Sequence, residues 1–144
     1  MKVSVILQNK GPSEVATIAP GASVRDAVST LSGKGIGALI VSPDGGEISG
    51  IISERDIVRQ LGASGSSVLD QPVSDLMTEN VETCTGQDTA IGILGRMTRG
   101  RFRHLPVVGT DNRMVGILSI GDVVKARLEE MEAENKAMAE MLGG

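Results

Sequence analysis

Aromatic residues are nearly missing from this chain of 144: it has one Phe, no Trp and no Tyr. The core must therefore be built from aliphatic side chains, Ala and Met. The ring surfaces on which many single-stranded nucleic-acid binders stack bases are missing too. There is no basic excess: 14 Lys and Arg stand against 18 Asp and Glu, a net charge of −4. That is the reverse of the footprint a sequence-independent DNA or RNA binder needs. One Cys and one His cannot build a Cys/His zinc site, and a single Cys cannot form an internal disulfide. No apolar run approaches the roughly 20 residues of a membrane helix. The opening MKVSVILQNKGPSEV lacks the apolar stretch of a signal peptide. These absences leave a globular protein of a reducing compartment, expected to be cytoplasmic, with neither nucleic acid nor membrane as partner. The length is about one domain's worth, enough to bury roughly 70% of the unfolded surface. Glycine, by contrast, is plentiful at 19 residues.

The chain repeats itself. At a shift of 66 positions Thr17 falls on Thr83, Leu39 on Leu105, Val41 on Val107 and Gly50 on Gly116. Ile51 then falls on Ile117, Ser53 on Ser119, Asp56 on Asp122 and Val58 on Val124, without a gap. Further upstream VSVIL at 3–7 resembles VSDLM at 73–77, and the first repeat carries four extra residues in the region 9–14. The polar, turn-rich stretch Gly62 to Ser67 separates the repeats. This divides the chain into 1–65, 66–127 and a helical extension at 128–144. Two halves so short of large side chains are expected to pack together about a pseudo-two-fold axis.

Within each repeat the periodicity changes in the same order. Val24, Ala27, Val28 and Leu31 lie at helical spacing behind Ser23, an N-cap candidate, and Ala90, Ile93, Leu94 and Met97 do so behind Thr89. Short apolar runs follow, ALIVS at 38–42 and HLPVV at 104–108, each bounded by turn residues and each read as a buried strand. Turns at 43–46 and 109–112 lead into returning strands that end at Ser53 and Ser119, where second helices begin. The expected fold is α/β, an α+β sandwich of two β-α-β-β-α repeats plus a C-terminal helix.

Two tandem units of this kind resemble the cystathionine-β-synthase (CBS) domain pair, or Bateman module. The first unit carries the resemblance in Val15-Ala-Thr17-Ile-Ala-Pro20, Gly35-Ile-Gly-Ala-Leu-Ile-Val41 and Gly50-Ile-Ile-Ser-Glu-Arg-Asp56. The second carries it in Val81-Glu-Thr83, Arg103-His-Leu-Pro-Val-Val108 and Gly116-Ile-Leu-Ser-Ile-Gly-Asp122, and departs from it with Gly86 in the place of Pro20. The similarity runs from about residue 3 to 127 and implies a stand-alone regulatory module without catalytic activity.

Chemistry concentrates at the two Ser-x-x-Asp sequences. Ser53 and Ser119 each end a strand and open a helix, so backbone N–H groups and the helix dipole favour an anion there. Asp56 and Asp122 can accept two hydrogen bonds from a vicinal diol such as ribose presents. The same pattern also fits a helix-stabilising capping box that binds nothing. The resemblance implies two mixed pockets: one with Thr17, Ile36, Gly37, Ala38, Ser119 and Asp122, the other with Thr83, Arg103, His104, Ser53, Arg55 and Asp56. Four Arg lie between positions 96 and 103, with no acid among them. Arg55 and Arg103 occupy pocket positions and suit phosphate, while Arg96 and Arg99 read as solvated surface. His104 fits a ring donor or a packed strand edge.

The function implied is an adenine-nucleotide sensor for AMP, ADP, ATP or NAD(H) that signals to an effector protein the sequence does not identify. Two alternatives remain, an S-adenosylmethionine sensor and an interaction scaffold with vestigial pockets. No Ser/His/Asp trio, metal cluster or P-loop spacing suggests an enzyme. Lone Cys84 aligns with Ile18 and reads as a buried structural thiol. From Asp122 the pattern predicts one helix to about Leu142, with Val124, Leu128, Met131, Asn135, Met138 and Leu142 spaced as a coiled-coil-like seam. Such a helix either packs back on its own domain or pairs with a second copy. The resemblance implies that the modules pair through their helices, so a homodimer is expected in which this helix extends the contact.

Overall fold

A computed structural model describes residues 1–11 and 15–143. Part of the four-residue insertion expected between 9 and 14, and Gly144 at the chain end, lie outside them. The elements run in chain order as α1 (Val3–Lys10), β1 (Thr17–Ile18), α2 (Val24–Lys34), β2 (Ala38–Val41), β3 (Gly50–Ser53) and α3 (Glu54–Ser64). Two 3-10 turns follow, Ser66–Asp70 and Val73–Asp75, then α4 (Ala90–Gly100), β4 (His104–Val108), β5 (Met114–Ser119) and α5 (Ile120–Met141). The fold is mixed α/β, with strand, helix, hairpin and helix in the expected order. In the second repeat the leading strand shrinks to one parallel bridge between Cys84 and Val107.

The helices start where side chains can cap them. Ser23 accepts the N–H of Asp26 and Thr89 that of Gly92, each satisfying a first-turn donor. At the far end of α2, Gly35 takes the left-handed conformation (φ 61°) and closes on the Leu31 and Ser32 carbonyls. Arg101 holds the same place after α4 with φ 57°, a region that costs a side-chain-bearing residue roughly 1 kcal/mol or more. The turn after α3 falls inside the polar stretch 62–67. Gly62 remains inside α3, and the chain turns only at Gly65, φ 78°.

Two compact units emerge, and they do not cut the chain at its midpoint. The first holds β1 through the second 3-10 turn, together with Gly109–Val115 from the tip of the β4–β5 hairpin. Its sheet runs β1-β2-β3, with Thr17 beside Ile40 in parallel and Ala38 beside Ser53 antiparallel. Val24, Ala27, Leu31, Leu39, Val41, Ile52, Ile57, Val68 and Val73 form its core. Arg113, from the hairpin tip, reaches Asp44 Oδ2 at 3.1 Å and lies over Gly46, where any Cβ would collide with the guanidinium. The backbone N–H groups of Glu47 and Gly46, then Arg113, hold the Asp44 carboxyl well below the usual carboxylate range.

The second unit holds α1, Thr83–Val108 and the chain from Gly116 onward. Val3, Ile6, Ala90, Ile93, Met97, Leu105, Val107, Leu118, Val123 and Ala126 pack with Cys84, aliphatic and Ala/Met-filled as the missing aromatics require. Burial pushes the Cys84 thiol up to about 11, so it stays protonated at neutral pH.

The units share one construction detail. In the first, Val24 N donates to Gln71 O, Val73 N to Ala22 O and Ser74 N to Pro20 O. In the second, Ala90 N donates to Met1 O, Val3 N to Asp88 O and Ser4 N to Gly86 O. The VSVIL and VSDLM segments are thus equivalent, and each docks on the unit of the other repeat. Gly86, the departure from the Pro20 pattern, supplies the same carbonyl. Above each segment's seat lies a matched glycine. A Cβ on Gly50 would stand 2.6 Å from Met77 Sδ, and one on Gly116 3.0 Å from Leu7 Cδ2.

Candidate functional site

Each Ser-x-x-Asp sequence forms a complete capping box. At α3, Asp56 Oδ2 accepts from Ser53 N and Ser53 Oγ, both at 2.9 Å, and Ser53 Oγ accepts from Asp56 N at 3.2 Å. At α5, Asp122 Oδ2 accepts from Ser119 N at 2.9 Å, and Ser119 Oγ accepts from Asp122 N at 3.1 Å. The next amide is tied as well. Glu54 N donates to Gly37 O at 2.9 Å, and Ile120 N to Arg103 O at 2.8 Å. The first turn therefore keeps one donor, the N–H of Arg55 in α3 and of Gly121 in α5, with no acceptor among the described residues.

Within the first unit, Thr17, Ile36, Gly37, Ala38, Ser53, Arg55 and Asp56 come together. Thr17 sits on β1, Gly37 and Ala38 lead into β2, and Ser53 pairs with Ala38 across the hairpin. Ala38 is buried, Arg55 is exposed and the rest are half-buried. Within the second unit the equivalent set is Thr83, Arg103, His104, Ser119 and Asp122. His104 opens β4 half-buried, and Arg103 is exposed with its carbonyl fixed by Ile120.

Charge distinguishes the two helix starts. Arg59 approaches Asp56 Oδ1 at 3.3 Å from one turn on, itself largely exposed. Lys10 of α1 reaches Asp122 Oδ2 at 2.9 Å and the Ile117 carbonyl at 3.1 Å. Burial raises the Asp122 carboxyl, but the Ser119 N–H and Lys10 outweigh it and hold the group below the ordinary value. In the first unit the Ile51 backbone bonds Thr78 instead, as a short bridge. Lys10 thus fills a strand's place, and no local pattern marks it. Arg96 is the other residue the sequence reading misplaces. It is half-buried rather than solvated, and its guanidinium donates to Thr83 O at 2.8 Å, fixing the backbone of a predicted site residue. Thr30 stands at its counterpart position in the first repeat, so only arginine's reach offered a hint.

Among the described residues, no helix is long and apolar enough to cross a membrane, and no three His, Cys, Asp or Glu could hold a metal ion.

Two copies of one strand–helix–hairpin–helix unit, each opening its last helix with a Ser-x-x-Asp box, define a tandem-repeat α/β module. A family model described as CBS domain matches twice, over residues 12–63 and 73–129, and the chain belongs to that family. It is 34% identical to a mitochondrial CBS domain-containing protein of Arabidopsis thaliana, CBSX3, over 92% of this chain and 67% of that one. A crystal structure of a CBS-domain containing protein from Agrobacterium tumefaciens superposes with a TM-score of 0.82 at 42% identity, covering 88% of this chain and 99% of that one. The structure of CBSX2 in complex with AMP aligns at 28% identity and a TM-score of 0.73, over 90% of this chain and 98% of that one.

Proposed function

We propose that this protein is a regulatory sensor that binds an adenine nucleotide, AMP, ADP, ATP or NAD(H), at its Ser-x-x-Asp helix starts and catalyses no reaction. One observation carries the reading. At both strand-to-helix junctions the first-turn amide left without an acceptor among the described residues, Arg55 or Gly121, adjoins a carboxylate held in place by its capping box. An amide at a helix N-terminus takes a phosphate oxygen, and an Asp with acceptor capacity takes ribose hydroxyls. The AMP complex of the related CBSX2 supports the ligand class. Thr17, Ile36, Gly37 and Ala38 in one unit, and Thr83, Arg103 and His104 in the other, supply the polar and apolar contacts for the rest of the nucleoside.

Arg55 gives α3 a guanidinium where α5 has Gly121, so the Asp56 site is the better one for phosphate-rich ligands. With Arg55, Arg103 and Lys10 near these sites, an anion is preferred over S-adenosylmethionine, whose sulfonium is cationic. A homodimer is part of the same reading, with the occupied state read by an effector protein. Thermal shift against AMP, ADP, ATP, NADH and S-adenosylmethionine tests it. At least one adenine nucleotide should raise the melting midpoint at millimolar concentration. A midpoint that none of them moves leaves the scaffold reading standing instead.

A further inference from the structure

Val123 and Ala126 are the last buried residues of α5, and from Met131 to Met141 every residue is exposed. Such a stretch has no packing within its own chain to hold it, and isolated helices this short are marginal in water. Its apolar residues are nevertheless ordered. Val124, Leu128, Met131, Met138 and Leu142, exposed by 40–83%, fall with Asn135 at 4-3-4-3-4 spacing. Two positions per heptad make a seam narrower than the stripe a helix turns to a globular core. It matches another helix of the same 3.5-residue period. A second copy of this chain supplies one.

Orientation follows from Asn135 and from the pair Arg127 and Glu132. Asn135 is the lone polar member of the seam, and only in a parallel, in-register pair does it face its own copy, amide against amide. Arg127 and Glu132 flank the seam at g and e positions, where a parallel pair sets Arg127 against Glu132 of the partner subunit, twice by symmetry. In the single chain Arg127 turns instead to Glu130 of its own helix at 2.8 Å.

We infer that two copies pair through a parallel, in-register coiled coil running from Val124 to Leu142. This rests on the homodimer reading above and adds the site and direction of contact. The test uses full-length chains carrying Leu128→Cys, Met138→Cys or, as a control on the outer face, Glu129→Cys. The native Cys84 is buried and contributes little. The parallel pair predicts that Leu128→Cys and Met138→Cys each oxidise mostly to a self-linked dimer, with Glu129→Cys at least fivefold less linked. Linking only when the Leu128→Cys and Met138→Cys chains are mixed would mean antiparallel helices and overturn the inference. So would a chain that sediments as a dimer yet links at neither seam position, although the homodimer would survive. A monomer by sedimentation removes both.

Discussion

Asp56 and Asp122 make the same backbone hydrogen bond yet meet different cations, and their substitutions should separate accordingly. Asn preserves an oxygen for the serine N–H while removing the charge. Asp56→Asn and Asp122→Asn should therefore weaken nucleotide binding without melting the helix starts. For ATP the Asp56 loss should be the larger, about tenfold or ~1.4 kcal/mol; equal losses in titration would refute the asymmetry. Acid stability tests the Lys10 pair. Because the Asp122 carboxyl sits below its ordinary 3.8, its contribution is complete above that value and is lost as pH falls through the folded one. Lys10→Met should lower the melting midpoint at neutral pH and flatten its decline below about pH 4. Parallel curves for variant and parent would show that the pair contributes nothing. Arg101→Gly should raise the midpoint by about 2–4 °C, through relief of a left-handed φ worth roughly 1 kcal/mol.

The exchanged segments organise the elements. VSVIL at 3–7 docks beneath the second repeat's first helix as VSDLM at 73–77 docks beneath the first's, and Gly116 and Gly50 leave room for Leu7 and Met77. Gly50→Ala should cost about 1–3 kcal/mol by overpacking, since its Cβ also meets the Thr78 carbonyl at 2.8 Å. Gly116→Ala should cost less, because only the end of the Leu7 side chain must shift. Chemical denaturation of both variants checks the order. What was readable in advance is local. Ser23, Thr89, Ser53 and Ser119 cap helices through contacts three residues away, and the 66-residue repeat needs only comparison of the chain with itself. Lys10 and Asp122 lie 112 positions apart and Arg96 and Thr83 thirteen, on different elements. No periodicity records such pairs. The 3–7 and 73–77 match was visible as an offset, but not that each segment packs with the other repeat.

At the scale of the whole molecule, sensing and assembly are carried by different stretches of chain. The proposed binding residues all precede position 123, whereas the α5 seam lies almost wholly beyond Arg127. Truncation after Arg127 should therefore raise the dimer dissociation constant by at least tenfold while leaving nucleotide affinity within about twofold, read by sedimentation and titration. Loss of both together would tie the helix to the binding sites. The central claim, that the Ser-x-x-Asp helix starts hold an adenine nucleotide, is tested most directly by isothermal titration of AMP and ATP into the full chain and its Asp56→Asn/Asp122→Asn double variant. The account predicts saturable binding to the native chain and affinity at least tenfold weaker in a double variant that stays folded at the titration temperature, its melting midpoint lowered about as much as Lys10→Met lowers it. Unchanged affinity in the double variant, or no saturable binding to the native chain, would contradict it and leave Asp56 and Asp122 as helix caps alone.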